Sequence, residues 1–171
     1  MIQSFAFRIL ILPTLFLVLS SCGFSLRGSE VFSTNFSELQ LYSEQPNSEL
    51  ARLLGRSLES AEVNITLVNL GEVESNIALL GIANEKLVSR PVTINPRARA
   101  AQVELRLSVD MGLLLGKQAL LEPETLFVER TYFQDVENIS GNQEEVEIIS
   151  AEMRRELINQ MMRRLVATNP I

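Results

Sequence analysis

Four arginines and one cysteine are the residues through which this chain can do chemistry. Arg90, Arg97 and Arg99 gather around the turn signal Asn95–Pro96, and Arg106 follows on the next apolar-polar alternation. Guanidinium groups present planar donor forks that take a phosphate two oxygens at a time, so these four are the candidate anion site. The plainer alternative is a solvated hairpin end or a set of contacts with a protein partner, which is the commoner fate of surface arginines. Cys22 is the single cysteine, and the chain has no histidine and no tryptophan. Triads with a histidine base, Cys/His zinc sites and dithiol chemistry lack their groups, so the sequence predicts no enzyme, no metal and no cofactor. Glu144, Glu145, Glu147 and Glu152 read as the solvated start of a helix, where carboxylates favour the dipole, and Met153, Met161 and Met162 as core filler.

The position of Cys22 gives it a role. A short head carrying Arg8 precedes an apolar run from Ile9 to Leu19 and the small residues Ser20 and Ser21. This is the layout of a secretory signal. The run is interrupted by Pro13 and falls well short of the roughly 20 apolar residues needed to span a bilayer. Leu19, Ser20, Ser21 and Cys22 resemble the bacterial lipobox, in which the thiol takes a diacylglyceryl group and the freed amine a further chain. An unpaired thiol in an exported protein is then explained, because two or three acyl chains hold a protein on a membrane without a spanning helix. Residues 1–21 are therefore expected to be removed, 22–36 to form a lipidated amino terminus and tether, and 37–168 to form one domain. Gly23 after the cysteine, by resemblance to enterobacterial lipoproteins, favours the outer membrane.

Removing 21 residues from 171 leaves 150, enough for one domain with a real core. Loss of Arg8 takes the formal charge from -6 to -7, which argues against a general nucleic-acid binder. Leu39 and Leu41 alternate with polar neighbours as a short strand. Asn47 or Ser48 can cap a first helix over about 48–61, whose Leu50, Leu53, Leu54, Leu58 and Ala61 form one stripe. Val63, Ile65 and Leu67 alternate only briefly. Residues 77–94 read as a long strand with a bulge at Asn84 and Glu85 and a pairing defect at Pro91. From Gln102 to Met111 apolar and polar residues alternate strictly, the mark of a central strand with one buried and one wet face. Gly116 and Lys117 turn it into a partner, Gln118–Phe133, bent at Pro123. Asn142 with Glu145 has the spacing of a capping box, with Ser140 and Gln143 competing, ahead of a second helix whose stripe runs from Val146 to Leu165. These elements predict an α+β fold: a two-layer, mostly antiparallel sheet of about four strands with two helices packed on one face.

Four stretches carry a family resemblance: CGFSLRG from Cys22, INPRARAAQVELRLSVDM from Ile94, VERTYFQDVENI from Val128 and EEVEIISAEMRRELINQMMRRL from Glu144. In that order they resemble the LptE family of lipopolysaccharide-assembly lipoproteins. The resemblance implies an outer-membrane lipoprotein on the periplasmic side that plugs a large β-barrel of the LptD type, one to one. It would assist the barrel's assembly and the delivery of lipopolysaccharide to the outer leaflet. The glycolipid head carries phosphates, which gives Arg90, Arg97, Arg99 and Arg106 a ligand. The alternative is another envelope lipoprotein, acting as a barrel-assembly accessory or a lipid-binding carrier.

Overall fold

The computed structural model describes residues 36–94, 100–135 and 138–168. Its framework is the strand with strict alternation, β4 (Ala100–Leu115), which pairs antiparallel along its length with β3 (Ala78–Ile94) on one side and β5 (Gln118–Phe133) on the other. Val103, Leu105, Leu107, Val109, Met111 and Leu113 are all buried, while their even-numbered neighbours point to the other face. The hairpin from β4 to β5 closes through Gly116 and Lys117. Gly116 takes φ 60°, the left-handed region that a two-residue turn requires, and an added Cβ would lie 3.1 Å from the Ser75 backbone oxygen. Register shifts in β3 fall where expected, between Ala83 and Lys86 and again after Pro91. At the first, Asn84 takes φ 55°, a value asparagine tolerates better than most residues.

Ahead of these strands come β1 (Glu38–Ser43), α1 (Glu49–Ser60) and β2 (Asn64–Leu67); after them comes α2 (Ile139–Ala167). The sheet order is β2-β1-β3-β4-β5, with β1 parallel to both β2 and β3. The two-layer α+β expectation holds, but the sheet has five strands instead of four and is mixed. The fifth is β2, four residues long with Leu67 facing solvent at the sheet edge, too short and too exposed for its alternation to count. β1 covers only residues 78–82 of β3, so Pro91, which has no N–H to give, lies on the stretch that no strand borders on that side.

Ser48 caps α1: its Oγ accepts from the Ala51 N–H at 3.1 Å. The stripe Leu50, Leu54 and Leu58 is fully buried against Leu39, Leu41 and Leu80 in one core that takes in Phe36 at its start and Met153, Leu157, Met161 and Leu165 from α2. The start of α2 corrects the capping-box reading. Its cap is Asn138, which accepts from the Gly141 N–H at 3.0 Å, so the helix begins about a turn earlier and the acids fall beyond its first turn. Asn142 is committed elsewhere: its amide oxygen accepts from the Asp135 N–H at 3.0 Å and its nitrogen donates to the Asp135 carbonyl at 2.5 Å. Gly141 leaves room for this cap, since a Cβ there would come 2.5 Å from the Asn138 amide. Ion pairs fasten the helices to their surroundings: Arg164 to Glu124 of β5 at 3.1 Å, Arg154 to Glu49 of α1 at 2.9 Å, and Arg130 of β5 to Glu156.

Candidate functional site: the open face of the sheet

Both helices lie over the face that carries Leu105 and Leu107, so that among the described residues no helix covers the opposite face of β3, β4 and β5. A sheet face left uncovered is ordinarily polar. Here it mixes charge with large apolar side chains: Val88 is 51% exposed, Val92 52%, Phe127 44% and Phe133 72%. Exposed apolar groups set among polar ones are the usual composition of a surface that meets another molecule.

The arginines sit among them. Arg90 faces Glu104 across the β3/β4 ladder, with Nε 2.6 Å from Oε1, and Arg106 faces Glu129 across β4/β5, with Nη1 2.8 Å from Oε1. Arg106 also stacks on Phe127, its guanidinium carbon 3.9 Å from the ring centroid. The Glu104 hydrogen bond and charge push the Arg90 pKa up, so this guanidinium is charged at any working pH. Further along the face, the Asp110 carboxylate accepts from Thr125 Oγ1 at 2.5 Å and from Asn84 Nδ2 at 2.7 Å, and these two hydrogen bonds hold its pKa below the ordinary value. The bulge thus turns Asn84 into a tie between strands, and its N–H donates to Glu44 at 2.8 Å.

Of the sequence-predicted residues, Arg90 and Arg106 are brought to one face on adjacent strands, two residues apart in register. Each has a carboxylate partner that takes one of its nitrogens, so a phosphate arriving there competes with the charge of Glu104 or Glu129 for the remaining donors. Arg97, Arg99 and Cys22 lie outside the described residues; Arg97 and Arg99 fall in the connection between β3 and β4. What sequence reasoning missed is the apolar part, Val88, Val92, Phe127 and Phe133. Its signal was present in β5, where Phe127 and Phe133 alternate out of phase with the buried Leu126, Val128 and Tyr132. Among the described residues no group of three or more His, Cys, Asp or Glu side chains is placed to hold a metal ion, and no helix is long and apolar enough to cross a membrane.

The architecture defines a class of two-layer α+β proteins with solved members. A rare lipoprotein B from Shewanella oneidensis superposes with TM-score 0.67 at 23% identity, covering 77% of this chain and 95% of that one. A protein titled uncharacterized lipoprotein B from Nitrosomonas europaea superposes with TM-score 0.65 at 22% identity, covering 85% and 91%. Sequence narrows the class to a family. The LptE model, described as lipopolysaccharide-assembly, matches residues 36–165. LPS-assembly lipoproteins LptE from Yersinia pestis (strain Pestoides F) and Yersinia pseudotuberculosis are 29% identical over 160 residues, 94% of this chain and 75% of theirs. The chain belongs to the LptE family of lipopolysaccharide assembly.

Proposed function

We propose that this member of the family is an outer-membrane lipoprotein, cut before Cys22 and anchored by acyl chains on it. In this reading it inserts its 37–168 domain into a β-barrel of the LptD type and thereby assists the barrel's assembly and the passage of lipopolysaccharide. The observation that carries the reading is the open sheet face. Barrel interiors are lined by polar and charged side chains, and a face that alternates neutralised charge pairs with exposed Val88, Val92, Phe127 and Phe133 suits such a wall better than it suits water. Arg90 and Arg106 then meet the wall with their carboxylates as a register of charges, and Arg97 and Arg99, which lie outside the described residues, are proposed for lipid phosphates on residue type alone.

Copurification in mild detergent tests the assignment. A stoichiometric barrel partner is expected, lost when Phe127 and Val88 are both replaced by aspartate; a lipid-loaded monomer with no barrel would overturn it. The anchor is tested separately by Cys22→Ala, which is expected to yield an unprocessed or soluble species. Normal mass and membrane retention in that variant would remove the lipid anchor from the reading.

A further inference from the structure

The helix layer holds a second unusual surface, on the side of the molecule away from the open sheet. β5 runs parallel to β1, being two antiparallel steps from β3, and each of these strands is followed by a helix that packs back along the sheet, so α1 and α2 lie side by side in the same direction. Between them is an open groove of about 1040 Å³, just past the range of about 300–1,000 Å³ for small-molecule sites. Its floor is apolar, formed by Leu53 of α1, Ala61 at that helix's C-cap, and Met162 and Val166 of α2. Leu53, Met162 and Val166 pack on the core with their inner sides only, which leaves their outer sides lining the groove.

Among the described residues two charges border it, Arg56 and Arg163, and no carboxylate does. Of the nine described arginines, those at 90, 106, 130, 154 and 164 are ion-paired and Arg52, Arg56, Arg155 and Arg163 have no ion-pair partner among the described residues; of these four, Arg56 and Arg163 border the groove. In a chain of net charge -6 this is a local reversal of sign on an apolar floor. The ordinary explanation is that cations gather near helix C-termini. Two parallel helix ends supply about one negative charge between them, roughly half a charge each, and two guanidiniums outweigh that by about one unit. A net positive rim therefore remains.

From the unpaired guanidiniums and the apolar floor we infer that the groove between α1 and α2 binds a single-chain anionic amphiphile, with its acyl chain along Leu53, Met162 and Val166 and its phosphate between Arg56 and Arg163. A polypeptide segment fits worse: its backbone N–H groups need acceptors, and beside the two guanidiniums, which only donate, the lining side chains offer only Ser57, Ser60 and Asn159. An acyl chain makes no such demand. The site is separate from the open sheet face, and it stands whether or not that face meets a barrel.

The full chain, purified in dodecyl maltoside, is titrated with palmitoyl lysophosphatidylglycerol and with monopalmitoylglycerol as the uncharged control, binding being followed by native mass spectrometry and by the Met162 methyl resonance. The anionic lipid is expected to bind about tenfold more tightly than the neutral one at low salt, as two phosphate contacts at a surface supply. Arg56→Gln with Arg163→Gln should abolish that preference, and Leu53→Asp should weaken both lipids; circular dichroism is expected to be unchanged, since Arg56 and Arg163 are exposed. The inference is overturned by equal binding of the two lipids, by a preference that survives the double substitution, by inorganic phosphate alone binding as well as the lipid, or by a Met162 methyl that does not move. A dimer or an intramolecular docked segment that excludes lipid from the groove would overturn it as well.

Discussion

On β4 the odd-numbered residues from Val103 to Leu113 are buried under two helices, while the even-numbered ones between them are joined across strands by charge and hydrogen bond, Arg106 to Glu129 and Asp110 to Thr125. The same six turns of the pleat thus serve two purposes. Burial of apolar surface is worth far more per residue than exposed ion pairs, so the covered face supplies the stability and the open face is released from that duty. It can carry exposed Phe127 and Phe133 and a ladder of paired charges without endangering the fold. A surface that can be rewritten without unfolding the domain is a surface on which partner recognition can be built.

The comparison breaks most readily at Leu107. Leu107→Ala is expected to lower stability by about 2–5 kcal/mol, against well under 1 kcal/mol for Arg106→Ala on the neighbouring outward position, both read from denaturant midpoints. Equal losses would mean that the faces are wrongly assigned. Next comes Gln40, which belongs to the open side of β1 yet is buried. Its amide nitrogen donates to the Glu74 carbonyl and its oxygen accepts from the Glu74 N–H, each at 2.9 Å, so the loop between β2 and β3 is clamped over this end of the face. Gln40→Ala leaves the part-buried Glu74 N–H unanswered, while the Glu74 carbonyl keeps the Ile77 N–H at 3.4 Å, and is expected to cost about 1–2 kcal/mol, with faster amide exchange in residues 68–77. If that loop stays protected, the clamp is not what covers the face there.

Smaller effects sharpen the picture. A double-mutant cycle of Arg106→Ala and Phe127→Ala should give a coupling of about 0.5–1 kcal/mol from the cation–π stack, and a coupling of zero would reduce it to an accident of packing. The smallest effect depends on pH. Hydrogen bonds from Thr125 and then Asn84 depress the Asp110 pKa, so the stability they add is present above the unfolded-state pKa and is lost as pH falls through the folded one. Thr125→Val should therefore lower the unfolding free energy at pH 6, by no more than about 1 kcal/mol at so exposed a site, and the difference from wild type should shrink as pH drops below about 4. A difference that persists at pH 2 would place the effect in packing and not in ionisation.

Much of this architecture is written in local pattern. The alternation in β4, the stripe of α1 with its Ser48 cap, the Gly116 turn and the bulge at Asn84 each follow from interactions within a few residues, and periodicity alone reveals them. The α2 cap was not legible in the same way. Asn138 and Asn142 offer equal local chemistry, and the choice fell to Asn138 because Asn142 is engaged by Asp135 seven residues back. β2 was hidden for a related reason: four residues at an edge hold their place through pairing with β1, which no short window contains.

The candidate site divides along the same line. Residue types determined that arginines capable of gripping phosphate sit near the β3/β4 connection, that Cys22 stands where a lipobox cysteine stands, and that one strand has a wet face. Only the tertiary structure decided that Arg90 meets Glu104 and Arg106 meets Glu129, that Phe127 lies under a guanidinium, and that Arg56 and Arg163 share a groove although more than a hundred residues separate them. Periodicity along a chain fixes which way a side chain points, because that is set by neighbouring backbone dihedrals; what it points at is set by strand register and helix placement, which depend on contacts between segments far apart in sequence.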